Sequence, residues 1–141
     1  MTDGPQPFLP APADAPWRPA AVVHHATDAG AHFDLLLARR EPSGPDDHAC
    51  ATWRAAHDPS ALPVGGTTTL EPIADHRAHY LRLAAPTELS SGRGWVRPVA
   101  QGDWRPCVDG AVEIRWSGGT AARYRVDAGG SPPALLRRIP R

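Results

Sequence analysis

Residues 32–37 follow the alternation that a β-strand with one buried face requires. His32 and Asp34 are polar, whereas Phe33 and Leu35 are apolar. Side chains two residues apart share one face of a strand, so this segment would place the imidazole and the carboxylate together and the apolar side chains on the opposite face. The segment therefore predicts a half-buried strand that carries a polar pair.

The rest of the chain also consists of short segments typical of strands, separated by turns rich in glycine and proline. Apolar or alternating segments of this kind are residues 20–23, 49–55, 67–70, 95–99, 111–116 and 122–126. No long segment repeats apolar residues with the helical period, and residues 75–83 fit a short strand or a single helical turn equally well. Many short strands with frequent turns predict an all-β barrel or sandwich.

The length of the chain predicts a single domain with two less regular ends. The 141 residues fit one domain of ordinary size. Residues 1–19 contain six prolines and predict a flexible Pro/Ala-rich arm. Residues 20–130 are the expected β domain. Residues 131–141 are expected to form a C-terminal tail in which Leu135, Leu136 and Ile139 can dock.

Charge and cysteine content limit the functional class. The chain has 15 Asp+Glu and 15 Lys+Arg residues, and all of the basic ones are arginine, so no net charge points to nucleic-acid binding. A local arginine patch can still bind phosphate, because the planar guanidinium group binds it bidentately. Cys50 and Cys107 form no Cys-x-x-Cys pair, and no signal peptide or apolar span occurs. We therefore expect a cytoplasmic protein without a membrane segment.

The candidate metal ligands His24, His25, His32 and Asp34 lie within eleven residues. An imidazole and a carboxylate two residues apart on a strand can bind the same divalent cation, and a histidine from the preceding strand can complete the set. Two nitrogen ligands and one oxygen ligand suit Mn, Fe or Zn better than Ca or Mg. A surface His-x-Asp pair that binds no metal is the alternative interpretation.

Several motifs resemble, in order, those of one protein family. Residues 32–34, His-Phe-Asp after an upstream histidine, resemble the His…His-Tyr-Asp motif of the 3′-phosphoesterase domain of bacterial DNA ligase D. Residues 52–59 resemble its Ser-Trp-Ala-Val-Pro-Lys-Gly-Pro segment, and residues 75–80 resemble its Asp-His-Pro-Leu-x-Tyr segment. Residues 91–96 are similar to its Tyr-Gly-Ala-Gly-x-Val loop and strand, and residues 101–104 are similar to the turn that follows.

The resemblance covers about residues 20–126 and looks closest to short standalone bacterial relatives of that domain. It implies a small single-domain β-barrel with short connecting helical turns and a crevice that holds Mn or another divalent transition metal. Members of the family trim 3′ ends of DNA, removing a terminal ribonucleoside and then a 3′-phosphate. The partners it implies are DNA 3′ ends and the ligase or polymerase proteins of DNA repair.

The resemblance also implies a set of metal ligands. His32 and Asp34 would bind the metal together with a histidine from the preceding strand. His25 differs from the family spacing by one residue, and His24 differs by two. His25 is therefore the expected third ligand, with His24 as the alternative.

Catalytic and substrate-binding roles follow from the same comparison. His76 would contact the scissile phosphate or act as general acid, and Tyr80 would bind the phosphate or orient the metal ligands. Arg54, His57 and Arg77 are the predicted substrate-binding residues.

The chain departs from the family at several phosphate-binding cations. Leu36 stands where the family has an arginine, and His57 aligns with a family lysine. A further family arginine falls among residues 67–69, which are all threonine. Arg54 and Arg77 are candidate replacements for these cations.

The missing cations leave three functions open. The first is a phosphoesterase that trims 3′ ends of DNA, and the second is a non-catalytic module that binds a metal or a DNA end in a repair complex. The third is a phosphoesterase for another phosphoester, such as RNA or a nucleotide. His48 and His79 are predicted to be solvated, and Gly92 and Gly94 are predicted to satisfy backbone conformation.

Overall fold

The computed structural model of the protein describes residues 6–119, 121–127 and 133–141. The regular elements in this part of the chain are nine strands and two short 3-10 turns, the turns at Pro59–Ala61 and Ala78–Arg82. The strands are β1 (Arg18–Thr27), β2 (Gly30–Ala38), β3 (Cys50–Ala55), β4 (Thr67–His76), β5 (Thr87–Glu88), β6 (Trp95–Pro106), β7 (Val112–Trp116), β8 (Ala121–Asp127) and β9 (Ala134–Ile139). The predicted all-β domain with short helical turns is confirmed.

Eight of the strands form a closed antiparallel barrel. The hydrogen-bonded order is β1-β2-β3-β4-β9-β8-β7-β6, and β6 pairs again with β1. Strand β5 has two residues and pairs with the start of β6 at Trp95 and Val96. Closure gives each barrel strand a hydrogen-bonded neighbour on both sides. The barrel strands are therefore fully paired although they are only five to twelve residues long. The barrel, rather than the sandwich, is the observed architecture.

Strand β9 differs from the tail that the sequence predicts at residues 131–141. It pairs with β4 on one side and with β8 on the other. Leu136 is 1% exposed and points into the barrel, whereas Leu135 is 37% exposed. The segment reads Ala-Leu-Leu-Arg-Arg-Ile and lacks a strict alternation of apolar and polar residues, so its strand signal is weak and its neighbours supply the pairing. Residues 128–132 lie outside the described residues.

The predicted N-terminal arm is shorter than residues 1–19, because β1 begins at Arg18. Residues 1–5 lie outside the described residues, and residues 6–17 contain no strand. The Phe8 ring meets the Trp53 ring edge to face, with 5.6 Å between the centroids. The described part of the arm therefore packs against the barrel.

The barrel interior is filled with apolar and aromatic side chains. Its members include Val22, Leu35, Leu37, Leu70, Trp104, Ile114, Tyr124 and Leu136. Trp104 Nε1 donates a hydrogen bond to the Ala38 carbonyl at 2.9 Å, and Tyr124 Oη donates to the Pro59 carbonyl at 3.1 Å. The polar atoms of these two buried aromatics are therefore satisfied, and they pack with the apolar side chains of the core.

A second apolar layer lies on the outer wall of the barrel, where the connection from β4 to β6 (residues 77–94) folds over β1 and β2. The buried residues of this outer cluster include Ala21, Val23, Leu36, Leu81, Leu83 and Val96. The alternation of β2 matches the prediction, because Leu35 and Leu37 face the interior while His32 and Asp34 face the outer wall. The polar pair therefore lies at the margin of the outer cluster.

Candidate metal centre

The β1–β2 hairpin brings three candidate ligands to the outer wall. His25 and His32 are Cα partners in the antiparallel ladder, and Val23 is the partner of Asp34. Partnered residues share one face of a sheet, and the His25 and His32 ring centroids lie 5.0 Å apart. The ligand atoms of His25, His32 and Asp34 all lie within 4.8 Å of one another. Three side chains that can each donate a lone pair therefore converge on one point.

His24, the alternative third ligand, lies on the opposite face of β1. Its Cα partner is Phe33, and the two rings meet edge to face with 4.9 Å between centroids. Burial, followed by the positive charge of Arg97 and the nearby His25, lowers the pKa of His24. The alternation of the strand thus puts His25 in the cluster instead.

Two buried atoms of the cluster, His32 Nε2 and Asp34 Oδ1, have no hydrogen-bond partner among the described residues. They lie 3.2 Å apart without hydrogen-bond alignment, and Asp34 is only 3% exposed. Each unpaired buried polar atom costs about 1–3 kcal/mol. A cation bound by both atoms removes that cost. Two imidazoles and one carboxylate are a donor set that suits a divalent transition metal.

The protonation state of His32 also suits a metal ligand. Burial is the largest influence on its pKa and lowers it, Asp34 acts in the opposite direction, and the charge of Arg54 lowers it again. The net shift is downward, so the imidazole is neutral at pH 7. A neutral imidazole offers the lone pair that metal binding requires.

His25 is held by the loop that precedes β6. Its Nε2 lies 2.7 Å from the Arg93 carbonyl oxygen. Because a carbonyl oxygen only accepts hydrogen bonds, Nε2 carries the hydrogen and the lone pair of His25 is on Nδ1. Such a hydrogen bond to the second nitrogen is the usual way that a protein orients a metal-binding histidine.

His76, at the end of β4, faces the cluster from the neighbouring strands. Its Nδ1 lies 3.0 Å from the Ala74 carbonyl, and its Nε2 lies 3.6 Å from Asp34 Oδ2. Burial lowers the pKa of His76, but the interactions with Asp34 and Ala74, together with the charge of Asp75, outweigh burial and raise it overall. The Tyr80 ring is tilted against the His76 ring at 5.8 Å between centroids.

These side chains line a pocket of about 190 Å³, which we call the metal pocket. Arg54 and Arg93 lie at its sides, and Arg54 is the Cα partner of Asp34 across the β2–β3 ladder. Arg54 is exposed and forms no ion pair with any described carboxylate. The predicted residues His25, His32, Asp34, Arg54, His76 and Tyr80 are therefore brought together in one pocket.

The two other predicted substrate-binding residues lie outside the metal pocket. Arg77 pairs with Asp46 at 3.0 Å and donates to Tyr80 Oη at 3.4 Å, beside a neighbouring depression. His57 is exposed and lines neither depression; its backbone N–H donates to Thr68 Oγ1. The alignment of His57 with a family lysine thus does not bring it to the pocket.

The positions that lack the family cations have structural roles here. Leu36 lies on the same face as Asp34 but is 0% exposed within the outer cluster, where an arginine would be a buried charge. The Thr68 and Thr69 hydroxyls accept hydrogen bonds from the backbone at His57 and Ala56. Leu36, Thr68 and Thr69 therefore stabilise the fold, Leu36 through apolar contacts and the threonines through hydrogen bonds.

Sequence reasoning did not identify Arg93 as a site residue. The residue lies in the loop between β5 and β6, and only the folding of residues 77–94 over the wall brings it to the pocket. Gly94 explains that placement, because it has a φ of +87° and a Cβ there would lie 2.0 Å from the Ala26 carbonyl oxygen. The predicted backbone role of Gly94 is confirmed. The signal in the sequence that points to Arg93 is the pair of glycines on either side of it.

Comparison with known proteins found no family model, no curated protein and no solved structure that matches the chain. Among the described residues, no helix has the length and apolar character needed to cross a membrane.

Proposed function

We propose that the protein is a divalent-metal-dependent phosphoesterase that acts on 3′ ends of DNA, removing a 3′-phosphate or a 3′-ribonucleotide during repair. The observation that carries this proposal is the convergence of His25, His32 and Asp34, two of which leave a buried atom unpartnered. The motifs that resemble those of the DNA ligase D domain suggest the substrate class. Mn, or another divalent transition metal, is the cofactor that this donor set favours.

The metal would be held by His25 Nδ1, His32 Nε2 and Asp34 Oδ1. Bound there, it would neutralise phosphate charge and lower the pKa of a coordinated water. The chain contributes the orientation of these ligands through the β1–β2 ladder and the Arg93 carbonyl. Both supports keep the ligands in place before the substrate binds.

His76 is the proposed proton donor. Its Nδ1 contacts the Ala74 carbonyl, so Nε2 is the nitrogen that faces the pocket. In hydrolysis of a 3′-phosphate, water forms a new bond to phosphorus and the bond from phosphorus to the 3′ oxygen breaks. The departing 3′ oxygen takes a proton, and Nε2 is placed to give it. Tyr80 packs against the His76 ring and keeps its orientation.

Arg54 is the proposed contact for the substrate phosphate. Its guanidinium group is exposed beside the metal ligands and is not neutralised by a described carboxylate. A free guanidinium group can bind two phosphate oxygens at once. It replaces the family arginine whose position Leu36 fills with apolar packing.

The second candidate function is a non-catalytic module that binds a metal and a DNA end for ligase or polymerase partners. The buried Leu36 favours it, because this chain carries no cation at that position of the wall. The two functions differ in whether phosphate is released, so a single assay separates them.

The direct test incubates the protein and Mn with a 5′-labelled primer–template that ends in a 3′-phosphate. We expect the wild type to form a 3′-hydroxyl product. The control variant Arg97→Gln, which changes an exposed arginine outside the pocket, should form the same product. His76→Ala is expected to keep the metal and lose product formation. Metal and DNA binding by the wild type without product would instead support the non-catalytic module, and product only from RNA or nucleotide substrates would replace the substrate class.

A further inference from the structure

A second depression adjoins the metal pocket and shares three of its residues. This depression, which we call the side hollow, measures about 290 Å³. His76, Tyr80 and Arg93 line both the metal pocket and the side hollow. The side hollow is completed by His48, Asp75 and Arg77. The two depressions therefore adjoin at these three residues, and Arg93 lies at the junction.

Arg93 leaves its positive charge available at that junction. Within the part of the chain that the structure describes, its guanidinium group donates only to Ser90, at 3.1 Å to the carbonyl and 3.2 Å to the hydroxyl. No described carboxylate lies within ion-pair distance of it. A neutral partner fixes the position of an exposed guanidinium group without neutralising it, so the positive charge can still attract an anionic ligand.

The acidic groups near the side hollow are already paired. Both carboxylate oxygens of Asp75 bind Arg39, each at 3.2 Å. Asp46, the partner of Arg77, has a side chain that is 86% exposed, so that ion pair is weak and can be replaced by another anion. The side hollow thus offers Arg77 and Arg93 to an anion, with the charge of Asp75 compensated.

We propose that the side hollow binds the phosphate next to the scissile one, so that the substrate is the end of an oligonucleotide with at least two phosphates. This inference rests on the proposed function, because it takes the metal pocket as the place of the terminal phosphate. A mononucleotide or inorganic phosphate would fill the metal pocket and leave Arg77 without a ligand. Phosphate contacts of this kind position a strand without reading its sequence.

The test removes one charge from the ligand and one from the protein. Two fluorescent oligonucleotides carry the same non-hydrolysable 3′-methylenephosphonate, and one has an uncharged methylphosphonate at its last internucleotide linkage. Fluorescence anisotropy with Mn gives the dissociation constant of each. We expect the wild type to bind the uncharged linkage about tenfold more weakly, the effect of losing one or two charge-assisted contacts at a solvated site.

The variants locate the contact. Arg77→Gln and Arg93→Gln should bind the two oligonucleotides within about twofold of each other, because each has lost a charged partner of the penultimate phosphate. Arg93→Gln keeps the backbone carbonyl that holds His25. Arg97→Gln, the matched control, should keep the tenfold preference. Circular dichroism and metal binding verify that each variant remains folded with an intact metal pocket.

Each outcome either supports or overturns the proposal. Equal wild-type affinity for the two oligonucleotides would overturn the side hollow as a subsite while leaving 3′-phosphate hydrolysis standing. If Arg77→Gln and Arg93→Gln each keep the tenfold preference, the side hollow is also overturned as a subsite, because the phosphate would then contact another part of the surface. If neither oligonucleotide binds and no 3′-phosphate is released, the proposed function fails as well.

Discussion

His25 and His32 face each other across the β1–β2 ladder, with their ring centroids 5.0 Å apart on the outer wall of the barrel. One residue earlier, His24 is on the opposite face against Phe33. Adjacent histidines on one strand are thus separated by the thickness of the sheet. This relationship makes them a matched pair for testing the metal centre.

Mn should raise the melting temperature of the wild type and of His24→Ala, but not that of His25→Ala. A ligand at one hundred times its dissociation constant stabilises the folded state by about 2.7 kcal/mol. Removing one of three protein ligands weakens the metal enough to abolish this gain. Thermal melts with Mn and with EDTA measure it, and an equal Mn-dependent shift in all three proteins would show that the metal does not bind at His25.

Gly94→Ala should destabilise the protein more than Gly92→Ala. Both glycines have a positive φ, which costs a residue with a side chain about 1–2 kcal/mol. At Gly94 the new Cβ would also meet the Ala26 carbonyl oxygen, whereas nothing lies within 4 Å of a Cβ at Gly92. Urea denaturation measures the difference.

The same substitution at Gly94 should weaken Mn binding, because a displaced loop withdraws the Arg93 carbonyl from His25. Loss of a hydrogen bond to a metal-binding histidine typically costs 10–100-fold in affinity, so we expect a loss of about tenfold or more. Isothermal titration of both variants provides the measurement. Equal stability and equal metal affinity of the two variants would contradict the close packing of this loop on β1.

Leu136→Ala should lower the free energy of unfolding by about 2–5 kcal/mol, the range for removing a buried leucine from a packed core. Leu136 is 1% exposed within β9, and the neighbouring Leu135 is 37% exposed. Leu135→Ala should therefore change stability by about 0.5 kcal/mol or less. Chemical denaturation compares the two, and similar losses at both positions would argue against β9 as the closing strand.

Cys50 should not react with Ellman's reagent in the folded protein at pH 8. Burial, and then the negative charges of Asp75 and Asp47, raise the pKa of the Cys50 thiol to about 12, so the reactive thiolate is nearly absent. Burial also raises the pKa of Cys107, but that side chain is only half-buried.

The thiol titration should therefore give one slow reaction in the folded state and two thiols in urea. Its rate should increase as the pH approaches the pKa of Cys107, because only the thiolate is nucleophilic. Cys107→Ser should show no reaction until it is unfolded. Fast reaction of two thiols in the folded wild type would contradict the burial of Cys50, which is 0% exposed and packs in the outer cluster.

Local patterns in the sequence predicted the fold class and most of the pocket. The two-residue period of β2 placed His32 and Asp34 on one face, because alternation along a strand depends only on the backbone. To establish that His25 and not His24 lies beside His32, the register of the β1–β2 hairpin is needed, and the distance along the chain does not specify that register. The family spacing favoured His25, and the ladder shows why it is the one that converges.

Other features depend on contacts that sequence patterns do not contain. Strand β9 does not alternate apolar and polar residues, and it is held in the sheet by β4 and β8. Arg93 reaches the metal pocket only because residues 77–94 fold over the outer wall and Gly94 packs on β1. Leu36 looked like a missing cation from its motif, and burial in the outer cluster gives it a packing role instead.

The candidate site lies on the outside of the barrel, while the interior is filled by Trp104, Tyr124 and the leucines around them. A molecule approaching the metal pocket meets it directly from bulk solvent and never has to thread through a narrow opening. A large ligand that carries its reactive group at one end can therefore reach the pocket as readily as a small ligand can. Tyr80, Leu89 and Arg93 of the pocket belong to the connection of residues 77–94, so substitutions there alter the rim of the pocket without altering the barrel strands beneath it.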